Sequence, residues 1–195
     1  MNEELVELLH LGRESRSLDY KATYNWSDPT HKGKITKTIL AMANITDGGR
    51  LVLGVREENG EFFPEGMPDD DFNQLDIDNI LSHVNNFADP YVEIELHRFE
   101  HEGRKFAIIR VMEFDEIPII CKRNGEGVRE GAVYTRSRRM PSSVEIPSQT
   151  EMREILEMGT TKMMRRIQRT ITSAGLVVQS QVTDDEQFDQ ELGGL

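Results

Sequence analysis

Three acids and a lysine near the start of the chain have the types and spacing that phosphate chemistry uses. Glu14 stands just before a candidate strand, Asp19 and Lys21 project from one face of that strand, and Glu57 follows a second, apolar strand. Asp19-Tyr20-Lys21 has the acid-x-Lys form found in many metal-dependent nucleases. Carboxylates fix a hard cation such as Mg²⁺ or Mn²⁺, which polarises the scissile phosphate and activates water. A lysine beside them stabilises the developing charge or orients the nucleophile. The tripeptide on its own is also what a solvated strand face with alternating charge looks like, and spacing alone favours that plainer reading.

The elements that must position these residues follow from periodicity. Residues 17–23 alternate Leu18, Tyr20, Ala22 against Asp19, Lys21, Thr23, the period of a half-buried strand. Residues 25–33, with Asp28-Pro29 and Gly33, read as a loop. Ile35, Ile39, Met42 and Ala43 then fall at helical spacing up to Asn44, and Asp47-Gly48-Gly49 turns into an apolar strand at 51–55. Residues 66–73 read as an acidic loop. Ile77, Ile80, Leu81, Val84 and Phe87 give an amphipathic helix that stops before Pro90. Strands are expected at 92–97 and, antiparallel to it, at 106–112. An edge strand follows at 117–122 and another at 132–136. Ser148 and Glu151 form a capping box opening a helix to Met158.

Beyond Gly159 a second helix is expected, with Met163, Ile167, Ile171 and Ala174 on one side and Arg165, Arg166 and Arg169 on the other. A strand at 175–182 and an acidic tail would follow. Helices and strands mix without a regular βαβ rhythm. The fold class is therefore α+β, a mixed, largely antiparallel sheet packed with helices, plus a C-terminal helical appendage. The expected division is residues 1–158 and 159–195.

The 195 residues carry a formal charge of −12, which at first argues against a nucleic-acid partner. The charges, however, are segregated. Residues 12–56 hold eight bases and four acids, residues 57–102 hold fourteen acids and one base, and residues 120–140 hold six bases and two acids. A local basic face can bind phosphate while other faces stay acidic, although such blocks are also ordinary solvated surface. No run of 18 apolar residues is present, and the N-terminus lacks the pattern of a signal peptide. The one cysteine, Cys121, excludes an internal disulfide and fits a reducing compartment, so a cytoplasmic, non-membrane protein is expected. No GxxxxGK[ST] segment occurs, which disfavours a P-loop ATPase.

GRESRSLDYK, then ITKTILAMANITDGGRLVLGV, then an Asn-Gly turn ahead of Glu65-Gly66, and later REGAVYTRS resemble the Schlafen/Alba-like domain family. That family shows an acid, an acid-aromatic-Lys element, a helix ending in A-x-A-N, a Gly-Gly turn into an apolar strand, and a closing YxR strand. The resemblance covers roughly residues 12–158 and implies a Schlafen-core-like fold that binds RNA or DNA. In the Schlafen branch it further implies a metal-dependent endoribonuclease acting on structured RNA such as tRNA. Carried onto this sequence, its metal ligands would be Glu14, Asp19 and Glu57 around Mg or Mn, with Lys21 at the phosphate. Asp19 stands where the family most often has Glu, and Arg56 occupies the alternative slot for the third acid.

The binding surface suggested by the charge blocks is a stripe of Lys122, Arg123, Arg129, Arg136, Arg138 and Arg139 beside the aromatic Tyr134, suited to phosphate contact and base stacking. Lys34 and Lys37, with Lys32, form a second cluster at a helix start. Surface arginines paired with the acidic blocks are the competing account. Two other functions stay open: a non-catalytic DNA-binding or regulatory module, and a homo-oligomer joined through the helix bearing Met163, Ile167 and Ile171.

Overall fold

The computed structural model describes residues 2–175. The chain opens with α1 (Asn2–His10) and β1 (Leu18–Lys21), then α2 (Pro29–Ala43), which leads into β2 (Gly49–Leu53). A hairpin of β3 (Val55–Glu58) and β4 (Glu61–Pro64) precedes the short α3 (Asp69–Asn73) and α4 (Ile77–Asn85). Next come β5 (Ala88–Asp89), β6 (Ile94–His101), β7 (Arg104–Val111), β8 (Ile120–Cys121), β9 (Tyr134–Arg136), β10 (Ser143–Glu145) and the long α5 (Gln149–Ser173).

The main sheet has the order β1-β2-β7-β6. β1 runs parallel to β2, with Asp19 opposite Leu51, and α2 supplies the crossover that a parallel pair needs. The other pairings are antiparallel, with Leu51 opposite Ile109 and Phe99 opposite Phe106. Successive side chains leave a strand on opposite faces. Leu51, Leu53, Ala107, Ile109 and Val111 therefore join one core with Ile35, Ile39 and Leu40 of α2. Val52, Phe106 and Ile108 join a second core with Leu9 of α1 and Tyr20. With both faces covered, the central strands read as unbroken apolar runs.

The α+β class and mostly antiparallel sheet hold. Several boundaries differ. α2 starts at Pro29, five residues before the expected start, because Asp28 caps it by accepting from the Thr30 N–H at 2.8 Å, and Pro29 fits the first turn. Gly33 is therefore helical. Its purpose is close packing, since a Cβ there would lie 2.0 Å from the carbonyl oxygen of Glu126. The 66–73 segment contains the helix α3. β1 is buried at three of its four positions, so Asp19 is not on a wet face. α5 continues through Gly159 as one helix to Ser173, where two helices were expected. The contacts divide the chain into units Met1–Gly159 and Thr160–Leu195. The strand expected at 175–182 and the acidic tail lie outside the described residues. No helix among the described residues is long and apolar enough to cross a membrane.

Candidate nucleic-acid interface

Asp19 is 3% exposed and its carboxylate is shared between two cations. Oδ1 accepts from Arg136 Nη1 at 2.9 Å, and Lys21 Nζ lies 2.5 Å from Oδ2 in an ion-pair contact without hydrogen-bond alignment. Lys21 Nζ donates instead to the carbonyl of Tyr20 at 2.9 Å. Arg136, 1% exposed, also donates to the carbonyls of Ser15 and Leu18 and to Ser143 Oγ. A buried guanidinium is tolerable only with its donors matched in this way. Arg136 is thus an interior counter-ion for Asp19, which corrects its expected place in a phosphate-binding stripe.

Tyr134 is corrected likewise. It is 3% exposed, and its hydroxyl accepts from the Arg129 N–H at 2.8 Å, so its ring is not available to a base. Asn44 fastens the same region. Its amide donates to the carbonyls of Ile119 and Tyr134, and its Oδ1 accepts from the Ile119 N–H. The acid-aromatic-Lys, A-x-A-N and YxR elements therefore meet in one buried polar lattice.

Glu14 lies near this lattice and accepts from the Tyr20 N–H at 3.2 Å. Burial and the neighbouring Asp19 charge raise its pKa above the usual carboxylate range, against the opposing pull of that N–H, Lys21 and Arg136. Glu57 is exposed on β3, in register with Phe62. Among the described residues no three His, Cys, Asp or Glu side chains gather where an ion could be held. The expected triad of Glu14, Asp19 and Glu57 is therefore corrected: two members approach each other and the third does not join. With Arg136 and Lys21 already against Asp19, a Mg²⁺ or Mn²⁺ ion would have to displace two cations, and the residues present do not fit one.

Two of the four remaining arginines of the stripe are taken by acids. Arg129 pairs with Glu145, and Arg138 shares Glu154 with Arg16. Burial would raise the Glu154 pKa, but its hydrogen bonds from Arg16 and Arg138 outweigh that and hold it below the usual range. Arg139 is exposed, and its backbone N–H donates to Ser137 Oγ. Lys122 is exposed and donates to the carbonyl of Asn85. Arg123 is exposed with its guanidinium 6.0 Å from the Phe87 ring centre.

The α2 lysines stand differently. Lys34 is exposed and shares a hollow of about 190 Å³ with Lys21, Thr23 and His31. Lys32 Nζ lies 5.1 Å from the Trp26 ring centre, and Lys37 Nζ lies 5.3 Å from that of Tyr134. None of the three forms an ion pair with a carboxylate among the described residues. Sequence reasoning missed the aromatic partners of this face. Trp26, His83 and Phe87 form a chain of ring contacts, at 4.9 Å and then 5.2 Å. They come from segments too far apart to make a linear motif.

What the fold and this surface define is an α+β domain with a basic, aromatic helical face outside a polar interior lattice. The family described as Schlafen, AlbA_2 matches residues 14–144, well over half of the chain, and the chain belongs to that family. No curated protein matches it. Among solved structures it is similar to the DIP2311 protein from Corynebacterium diphtheriae, at 18% identity and a TM-score of 0.48. That match covers 78% of this chain and 28% of the other. It is also similar to the N-terminal domain of a Nitrosomonas europaea protein described as related to the ATP-dependent DNA helicase RecG. Identity there is 24% and the TM-score 0.47, with 75% of this chain and 95% of the other covered.

Proposed function

We propose that this chain is a nucleic-acid-binding domain whose contact surface is the exposed side of α2 with the neighbouring Lys122–Arg123 segment. Its family membership points to a nucleic-acid-related role. The observation that carries the reading is the set of cations left without acid partners. Acids outnumber bases 35 to 23 in this chain, yet Lys32, Lys34, Lys37 and Arg123 make no carboxylate ion pair among the described residues. Elsewhere among the described residues Arg16, Arg56, Lys105, Arg110, Arg129 and Arg138 are paired with acids while Arg13, Arg98, Arg104 and Arg139 are not. What sets the three lysines apart is that they share one helix. α2 itself contains no acidic residue. Like charges three or four apart on a helix repel, so the arrangement works against stability and suits a partner that brings phosphates.

The reading is of binding, since the surface cations support contact with phosphates and Asp19 is already held by Arg136 and Lys21. Fluorescence anisotropy with labelled RNA and DNA oligonucleotides, titrated with salt, tests it. Affinity should fall linearly in log–log form with salt, and a Lys32→Ala/Lys34→Ala variant should flatten the slope by about two. Salt-independent binding, or a slope unchanged in that variant, refutes the proposed surface.

A second reading is carried by α5, where Met163, Met164 and Ile167 are 50%, 52% and 44% exposed. An apolar run of this kind suits pairing with a second copy. Truncation after Met158 with no fall in oligomeric mass excludes it.

A further inference from the structure

A second cavity, of about 250 Å³, opens among α2, α4 and the loop after Arg123. Its walls include Pro29, Lys32 and Thr36 of α2, His83 of α4, Phe87 just past the end of α4, and Glu126. The volume is below the ~300–1,000 Å³ of pockets that enclose a drug-sized ligand, and it suits one planar ring system. Three features give it a chemical preference. Half-buried rings border it, since Phe87 and His83 are in the wall and Trp26 stands edge-on to His83. Two cations without acid partners flank those rings, Lys32 near Trp26 and Arg123 near Phe87. Thr36 is fully buried, and its hydroxyl has no hydrogen-bond partner. A buried hydroxyl left unpaired costs stability, and a polar group of a ligand that reached it from the cavity would offset that cost.

Burial and the Lys32 charge lower the His83 pKa, so its ring is neutral near pH 7 and able to stack or to accept a hydrogen bond. The cavity has a fixed wall. Gly33 and Gly125 let the loop approach, because a Cβ on Gly33 would meet the Glu126 backbone and one on Gly125 would meet the Phe87 ring at 2.5 Å.

We infer that this cavity receives one unpaired nucleobase of a single-stranded segment, stacked against Phe87 and His83, while Lys32 and Arg123 hold the adjoining phosphates. The inference rests on the nucleic-acid reading above and adds which strand state is bound, and where. An unstacked base offers a face to an aromatic ring and an edge to a hydroxyl, whereas a base inside a duplex offers neither to a pocket of this depth.

The chain has one tryptophan, Trp26, whose ring stands edge-on to His83 in the cavity wall, so its fluorescence reports on the cavity's surroundings. The intact protein is titrated with a labelled single-stranded oligonucleotide, the matching duplex, and free mononucleotides, reading anisotropy and tryptophan emission together. The single strand should bind and quench Trp26, and the duplex should bind more weakly without quenching. Phe87→Ala should weaken single-strand binding about 5- to 150-fold. If Phe87→Ala unfolds, Thr36→Val serves instead, because it removes an unpaired hydroxyl and retains the shape. It should keep the wild-type thermal midpoint or raise it, and lose part of the single-strand preference.

Binding of single strand and duplex alike, without quenching, overturns the cavity assignment and leaves the basic surface standing. Quenching by mononucleotides at the same concentrations as the strand shows a free-nucleotide site and overturns the strand proposal. No binding of any nucleic acid at low salt removes the underlying reading and this inference with it.

Discussion

Two regions of this protein hold nearly the same residue types and use them in opposite ways. At the junction of β1, β9 and the end of α2, Asp19, Arg136, Tyr134 and Asn44 are each almost fully buried and bonded within the protein, Arg136 to Asp19, Asn44 to the carbonyl of Tyr134, and the Tyr134 hydroxyl to the Arg129 N–H. Around α2 and α4, Lys32, Trp26, His83 and Phe87 are half-buried and Arg123 is exposed, and the two cations make no carboxylate ion pair among the described residues. A cation is a fastener in the first region, where Arg136 meets Asp19, and a candidate ligand contact in the second, where Lys32 and Arg123 lie beside aromatic rings. Burial and the presence of a carboxylate decide which. The elements most distinctive in the sequence belong to the first region, so in this chain they mark how the domain is held together more than what it touches.

The comparison breaks most sharply if the interior lattice is cut. Arg136→Met leaves the buried Asp19 carboxylate with Lys21 alone and takes away its hydrogen bond, and should destabilise the domain by up to about 3–5 kcal/mol, measured by denaturant unfolding. The Asp19→Leu/Arg136→Met double variant should lose less than the single one, since the only charge left without its partner, Lys21, is partly exposed. A single and a double variant equally stable to the wild type would show that the pair is not buried as described.

Asn44→Ala comes next. It leaves the Ile119 N–H and the carbonyls of Ile119 and Tyr134 without partners, at about 1–3 kcal/mol for each unsatisfied group. Urea denaturation should give a lower midpoint with an unchanged slope.

Substitutions on the open face should behave in reverse. Lys34→Ala should change stability by no more than about 0.5 kcal/mol and lower the salt slope of oligonucleotide binding by about one. Arg129→Ala and Arg138→Ala remove cations that acids already neutralise and should leave that slope alone. If those two flatten the slope and Lys34→Ala does not, the binding surface has been assigned to the wrong region.

The smallest effects are in pH, and they run in opposite directions. Burial and Lys32 depress the His83 pKa, so its contribution to stability is complete above the ordinary histidine value of about 6.5 and is lost as pH falls through the depressed value. His83→Phe should remove that acid sensitivity between neutral pH and pH 5. Glu14 has a raised pKa, so its contribution is complete below the ordinary carboxylate range and is lost as pH rises through the raised value. Glu14→Gln should therefore hold its thermal midpoint, or gain slightly, at neutral pH. A neutral-pH loss in Glu14→Gln would mean that the ionised carboxylate is needed where it stands.

Much of this architecture was legible in the residue order. The period of 51–55 and of 106–112 gave the central strands, the Ser148–Glu151 capping box gave the start of α5, and the α+β class followed from their mixture. The Asp28-Pro29 start of α2 was also written there but was hidden by Gly33, which reads as a helix terminator. It is helical because the loop at Glu126 leaves no room for a side chain. The motifs that carried the family resemblance were legible as well, and the family match over residues 14–144 agrees with them.

What the residue order could not supply was the environment of each charge. Asp19-Tyr20-Lys21 specifies an alternating strand, but only the tertiary fold, which sets Asp19 opposite Leu51 on the α2 side of the sheet, buries it and brings in Arg136 from 117 positions away. Arg136 and Arg138 are two residues apart on the chain, and one is interior while the other is on the surface. Likewise Trp26, His83 and Phe87 become one aromatic wall only once α4 packs beside α2. Composition, periodicity and caps act over a few residues, so sequence determined the elements and the family. Burial and charge pairing depend on contacts across the whole domain, so the tertiary structure alone decided which basic residues face a ligand and which hold the protein together.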